Sequence, residues 1–193
     1  MLFTSITCYS QTELLQNKGG FTSAFVKALN DDGATRLYAF ELLTEKNIVF
    51  SLQFEEAAIV VSPTVGLGYM SKRRMTNNFE RIKFGVSYTY LLENHFAGLN
   101  GSIHYLTNAQ KNAPTSFTFG TNLMRRVSSE KQNGLYSSNR DDVDKTYLTI
   151  GFGIVQSFFA KRNFSPHVGL QMSVADGEFY TMLCCGININ VIK

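Results

Sequence analysis

The sequence predicts an all-β chain folded as one antiparallel, up-and-down transmembrane β-barrel of about 8–10 strands. Three observations carry this expectation. Alternation with a period of two dominates from Gly19 onward, in segments of roughly 8 to 14 residues, the length a tilted membrane strand needs. The face opposite the large apolar residues carries mostly Gly, Ser, Thr, Asn and Gln, where the wet face of a soluble sandwich carries Lys, Glu and Thr. The charges gather between the segments instead.

Composition agrees. The chain has 193 residues, enough for one domain, with a formal net charge of +3 and only 17% charged residues. No concentrated basic face is present, so nucleic acid is not an expected partner. Phe and Tyr make up the whole of a 13% aromatic content, because Trp is absent. Mean hydropathy is -0.07. A near-neutral mean is what a barrel wall gives, since lipid-facing and lumen-facing residues cancel. No apolar run reaches the roughly 18 residues that a transmembrane helix requires.

The first residues read as an export segment. Met1 to Ser10 is apolar and uncharged, with the small residues Cys8 and Ser10 at the spacing of a cleavage site before Gln11. Residues 1–10 are therefore expected to be a signal-peptide remnant and 11–193 a single barrel domain. Gln11 to Lys18 is a short polar leader. Phe21 to Leu29 reads either as a first strand, which makes ten, or as a short amphipathic helix.

The strand signals then follow in order. Ile48, Phe50, Leu52 and Phe54 oppose Val49, Ser51 and Gln53. Ile59, Val61, Val65, Leu67 and Tyr69 oppose Ser62, Thr64, Gly66 and Gly68. Ile82, Phe84, Val86, Tyr88 and Tyr90 oppose Arg81, Lys83, Gly85, Ser87 and Thr89. Leu99, Ile103 and Tyr105 oppose Asn100, Ser102 and His104, and Phe117, Phe119 and Leu123 oppose Thr118, Gly120 and Asn122. The strictest segment is Thr146 to Phe158, with Leu148, Ile150, Phe152 and Ile154 against Tyr147, Thr149, Gly151 and Gly153. Val168, Leu170, Met172 and Val174 oppose His167, Gly169, Gln171 and Ser173. Leu183, Ile187, Ile189 and Val191 oppose Gly186, Asn188 and Asn190.

Turn-rich, charged connections separate these segments, the longest being Val127 to Lys145. If the last strand ends in the periplasm, counting hairpins back places that connection outside the cell, in line with short inner turns and longer outer loops. The turn around Lys72-Arg73-Arg74 is then long for the inner side.

Little in the sequence points to chemistry. His95, His104 and His167 are the only histidines, and the last two share the expected lumen face with Ser102, Ser173 and Gln171. A catalytic His needs a Ser or carboxylate within hydrogen-bond reach near an open rim. No local signature of such a set is present, so polar packing is the reading of these residues. Arg36, Arg81 and Lys83 are expected in the lumen with Glu41 as partner. Asp141, Asp142 and Asp144 lack the ligand spacing of a calcium loop and read as a solvated surface. The pairs Gly66/Gly68 and Gly151/Gly153 lie inside strands and do not open a helix, so they are not phosphate loops. Cys184 and Cys185 should point to opposite faces, and with Cys8 they form no metal or redox spacing. No catalytic, cofactor-binding or metal residues are assigned, and no cofactor is expected.

The leader ending Ser10-Gln11, the glycine-alternating Leu148-Thr149-Ile150-Gly151-Phe152-Gly153 and the terminal Gly186-Ile187-Asn188-Ile189-Asn190 resemble the small outer-membrane β-barrel proteins of the Bacteroidetes. The resemblance covers roughly Ala34 to Lys193 and is one of alternation, not of a signature. It implies a cell-outer-membrane location, the outer-membrane bilayer and the barrel assembly machinery as partners, and a non-enzymatic structural, adhesive or narrow-channel role. Barrels of this kind usually end in an aromatic residue, whereas this chain ends Val191-Ile192-Lys193. Tyr69, Tyr88, Tyr90, Tyr105 and Tyr180 are placed to form the interfacial belt.

A lumen of this size should be filled by side chains such as Asn100, His104, Asn122, Tyr147 and Gln171. Function then falls to the Val127–Lys145 loop, whose Glu130, Lys131, Arg140, Asp141, Asp142 and Asp144 suit contact with a surface protein or glycan. Two alternatives stand beside this. One is a soluble periplasmic or extracellular barrel holding a small apolar ligand; the other is a barrel enzyme acting on lipid or peptide. The direction of Leu148, Ile150 and Phe152 separates the first alternative from the membrane reading.

Overall fold

The computed structural model describes residues 19–29, 35–57, 60–71, 74–75, 79–91, 94–107, 112–129, 146–160, 162–175 and 177–192. Residues 1–18, with Cys8 and the expected cleavage site, and residues 130–145, the core of the long loop, lie outside them.

The described residues form eleven strands: β1 (Gly19–Ala28), β2 (Thr35–Leu43), β3 (Ile48–Ala57), β4 (Val60–Met70), β5 (Arg74–Met75), β6 (Phe79–Leu91), β7 (Asn94–Thr107), β8 (Thr115–Ser129), β9 (Thr146–Ser157), β10 (Phe164–Ala175) and β11 (Glu178–Ile192). β5 is a two-residue extension on β6. The other ten pair antiparallel with their chain neighbours, and β1 with β11 joins the two ends of the chain. The sheet is thus a closed ten-stranded up-and-down barrel. Closure leaves no unpaired edge, the condition for carrying a sheet through hydrocarbon. Phe21 to Leu29 resolves in favour of the strand: β1 pairs with both β2 and β11 over most of its length.

The expected faces hold on most strands. Leu148, Ile150, Phe152 and Ile154 are exposed on the outside, and Thr149, Gly151 and Gly153 are buried inside. The outer wall adds Phe50, Leu52, Val65, Leu67, Ile82, Phe84 and Val86, then Leu99, Ile103, Phe119, Leu123, Val168, Leu170, Met172 and Leu183. Among the described residues the large apolar side chains of these strands thus face outward and not into the barrel. Cys184 points inward and Cys185 outward, both free.

Two assignments are corrected. Arg36 faces out, on the same side of β2 as Tyr38, Phe40 and Leu42, because Glu41 fixes the inward phase of that strand. Tyr180 faces in, its hydroxyl donating to Glu178 Oε2 at 2.6 Å, so it is not part of an interfacial belt. Tyr69, Tyr88 and Tyr90 are exposed on the outside as expected.

The interior is layered, which alternation alone did not show. Near the end that carries both termini, Leu43, Val49, Met70 and Leu106 form a buried apolar cluster. Near the far end, Val26, Leu37, Ala175, Tyr180 and Met182 belong to a second. Buried polar residues lie between the two and also reach the terminal end, where Arg81, Ser116, Ser157 and Ser165 are buried. The far-end connections are 29–34, 58–59, 92–93, 130–145 and 176–177. Those at the terminal end are 44–47, 71–78, 108–114 and 158–163. Of the far-end connections only 130–145 is longer than every terminal-end one, and 58–59, 92–93 and 176–177 are shorter than any of them, so the expected pattern of short inner turns and longer outer loops rests on 130–145 alone.

Candidate functional site

The polar middle of the lumen contains a buried ion pair. Glu41 on β2 and Lys83 on β6 form an ion pair across the interior, both almost fully buried. Alternation puts both side chains inward, and the walls bring them together although β3 and β4 separate their strands. Arg81, two residues from Lys83 on the same face, reaches the terminal end. Its Nε donates to Ser71 O at 2.8 Å and its Nη2 to Asn47 Oδ1 at 2.9 Å. Arg81 thus ties the 71–78 connection to the 44–47 turn. Burial of such groups is tolerable only when each is paired or hydrogen-bonded.

The histidines are not brought together. His104 Nε2 lies 2.7 Å from Ser102 Oγ on the same strand face, and its Nδ1 lies 3.4 Å from Thr118 Oγ1. The hydroxyl–imidazole contact is one a nucleophile uses, but the ring is fully buried, with the Leu106 plug next along β7. His167 sits on β10 beside Ser157 and Gly186 in register. Its ring nitrogens, Ser157 Oγ and Asn188 Nδ2 have no hydrogen-bond partner among the described residues. Buried atoms of this kind are usually satisfied by ordered water. Asn188 Oδ1 accepts from Thr22 Oγ1 at 2.7 Å, closing the seam between β1 and β11. His95 points outward near the far end, with its Nδ1 at the Tyr88 hydroxyl and its ring 5.2 Å from that of Tyr90.

Among the described residues the middle of the lumen is closely packed. A cavity of about 20 Å³ lies among Ser51, Gln53, Thr64, Lys83, Ser87, Asn100 and Asn122. That is room for about one water. Asn100, His104, Asn122 and Gln171 fill as expected, and Tyr147 packs edge-on against Phe96 at 6.1 Å. Among the described residues no group of three or more His, Cys, Asp or Glu is placed to hold a metal ion. Asp141, Asp142 and Asp144 fall outside those residues.

The outer wall has its own feature, which alternation did not reveal. Gly68 on β4 and Gly85 on β6 are register partners. A Cβ on Gly68 would lie 2.8 Å from Phe84 O; one on Gly85 would lie 2.7 Å from Leu67 O and 2.9 Å from Gly68 Cα. The two backbones meet so closely that neither position has room for a Cβ, and this pair is the glycine corner of the wall. Outside the corner is an apolar groove of about 700 Å³, bounded by Phe50, Leu67, Tyr69, Phe84, Val86 and Leu99.

Fold and wall together define the class: a closed antiparallel β-barrel, polar and packed within, apolar without. No protein-family model matches the chain, and no curated protein resembles it in sequence.

Proposed function

We propose that this chain is an integral outer-membrane β-barrel protein of the Bacteroidetes type, non-enzymatic, with a structural or adhesive role. The observation that carries the reading is the outward belt of large apolar side chains on all ten wall strands. In water this belt would be an apolar patch far beyond what soluble monomers expose. In a bilayer it is the lipid face. Strands of 9 to 15 residues are long enough to cross. With the termini in the periplasm, the 130–145 connection lies at the cell surface, where its mixed charges meet a protein or glycan partner. The buried Ser102–His104 pair serves packing in this reading, because a substrate has no path to it through the closely packed middle of the lumen.

The test is purification of the full chain and fractionation of native cells. The expected result is recovery with the outer membrane, a mature N-terminus at or near Gln11, and a heat-modifiable band on gels in detergent. A protein that folds in plain buffer without detergent or lipid, with Met1 retained in a cytosolic fraction, overturns the proposal.

A further inference from the structure

The groove at the Gly68–Gly85 corner does not end on the apolar wall. It shares Ile48 and Phe50 with a second groove of about 540 Å³, bounded also by Gly20, Leu42, Leu43, Thr44, Glu45 and Lys46. The two form one track, apolar along the wall and charged where it reaches the terminal end. The charged part is built on a fixed turn. Asn47 adopts φ 62, its N–H donates to Thr44 O at 3.0 Å, and Thr44 N–H donates to Ile48 O at 2.9 Å. Met70 N–H donates to Asn47 O at 2.9 Å, and Arg81 holds the Asn47 side chain from within. Glu45 and Lys46 are therefore carried outward on a turn braced from two sides, and both are exposed.

We propose that this track binds one zwitterionic glycerophospholipid, phosphatidylethanolamine in chemistry, from the leaflet at the terminal end. This rests on the membrane reading above. An acyl chain lies in the corner groove between Phe50, Leu67 and Val86. Lys46 faces the phosphate and Glu45 the ammonium, an arrangement of opposite charges that matches the headgroup. An anionic lipid meets Glu45 unfavourably, and a trimethylated headgroup offers it no N–H donor. Gly68 and Gly85 lie in the floor of the groove, between the outward side chains of Leu67, Tyr69, Phe84 and Val86.

The test uses the full chain, reconstituted in vesicles of phosphatidylcholine with equal minor fractions of phosphatidylethanolamine and phosphatidylglycerol, then extracted in mild detergent for native mass spectrometry. One phosphatidylethanolamine per barrel is the expected finding. Val86→Trp fills the groove and abolishes retention, while Leu170→Trp on the opposite wall preserves it. Glu45→Ala lowers the preference over phosphatidylglycerol, by about fivefold for a single headgroup charge contact, whereas Lys46→Ala lowers retention without lowering that preference, because both lipids carry the phosphate. Equal retention in wild type and Val86→Trp overturns the inference, as does retention without headgroup preference or a lipid-free dimer of the chain. Insertion is scored separately by the heat-modifiable gel shift: a barrel that inserts but holds no lipid overturns this inference alone, and one that never inserts overturns the membrane reading with it.

Discussion

Lys83 Nζ and Glu41 Oε1 meet inside the barrel, joining β6 to β2 through the lumen instead of along the wall. The pair works as an internal strut between strands that share no backbone ladder. Removing one partner leaves a buried charge with no counterion, a loss of about 3–5 kcal/mol. Glu41→Gln and Lys83→Met should each be destabilising to that degree in urea unfolding from vesicles. The double variant Glu41→Leu with Lys83→Met should regain most of the loss. Additive single losses in the double variant would show that the strut is not a unit.

Phe152 and Gly153 are adjacent yet face opposite media, one outward and 37% exposed, the other buried. Phe152→Arg places a guanidinium against lipid and should cost about 2–4 kcal/mol if the site lies near the midplane. Gly153→Arg acts inside, by crowding the packed lumen. The two should therefore differ in their response to bilayer thickness: thinning the bilayer relieves Phe152→Arg and leaves Gly153→Arg unchanged. Identical behaviour in thin and thick vesicles would remove the lipid face as the explanation.

Much of this was readable from the residues, and the reasons can be named. Leu148 to Val155 is legible because every outward position is large and apolar and nearly every inward one is small or polar. β2 is harder to read: Leu37, Ala39 and Leu43 point inward beside outward Tyr38, Phe40 and Leu42, so only Glu41 breaks the symmetry. Arg36, five residues from Glu41, is out of phase with it and so faces outward. The interior plugs were hidden too, since Val49 or Leu106 alternates like any wall residue and only position along the strand makes it a plug. The glycine corner needed the register, because Gly68 and Gly85 are unremarkable until they are seen to be opposite one another.

That corner gives a sharp contrast among glycines. Gly68→Ala would bring its Cβ to 2.8 Å from a backbone oxygen, whereas at Gly153 the nearest atom is 3.9 Å away. Backbone contacts cannot yield as a flexible side chain can. Gly68→Ala should lower the unfolding midpoint in vesicles, a clash cost of about 1–3 kcal/mol. Gly153→Ala should be neutral or slightly stabilising, since alanine loses less chain entropy than glycine. Equal tolerance at both positions would mean that the wall is not pinched at Gly68.

The last expectation concerns conduction. The lumen has an apolar plug near each end and a buried ion pair between them, and the cavity beside Lys83 has space for about one water. Neither plug gives a hydrated ion groups to replace its water, and Lys83 with Glu41 occupies the middle. The wild-type barrel should therefore show no steady conductance in planar bilayers. Met70→Ala with Leu106→Ala opens the terminal-end plug only, so it too should remain closed while the ion pair and the far-end cluster stand. Deleting residues 130–145 should leave the barrel folded and closed, and should abolish adhesion of intact cells or vesicles to a surface protein or glycan. Steady conductance of porin size in the wild type, unchanged by that deletion, would show that the interior is a pore and that the loop is not the working part.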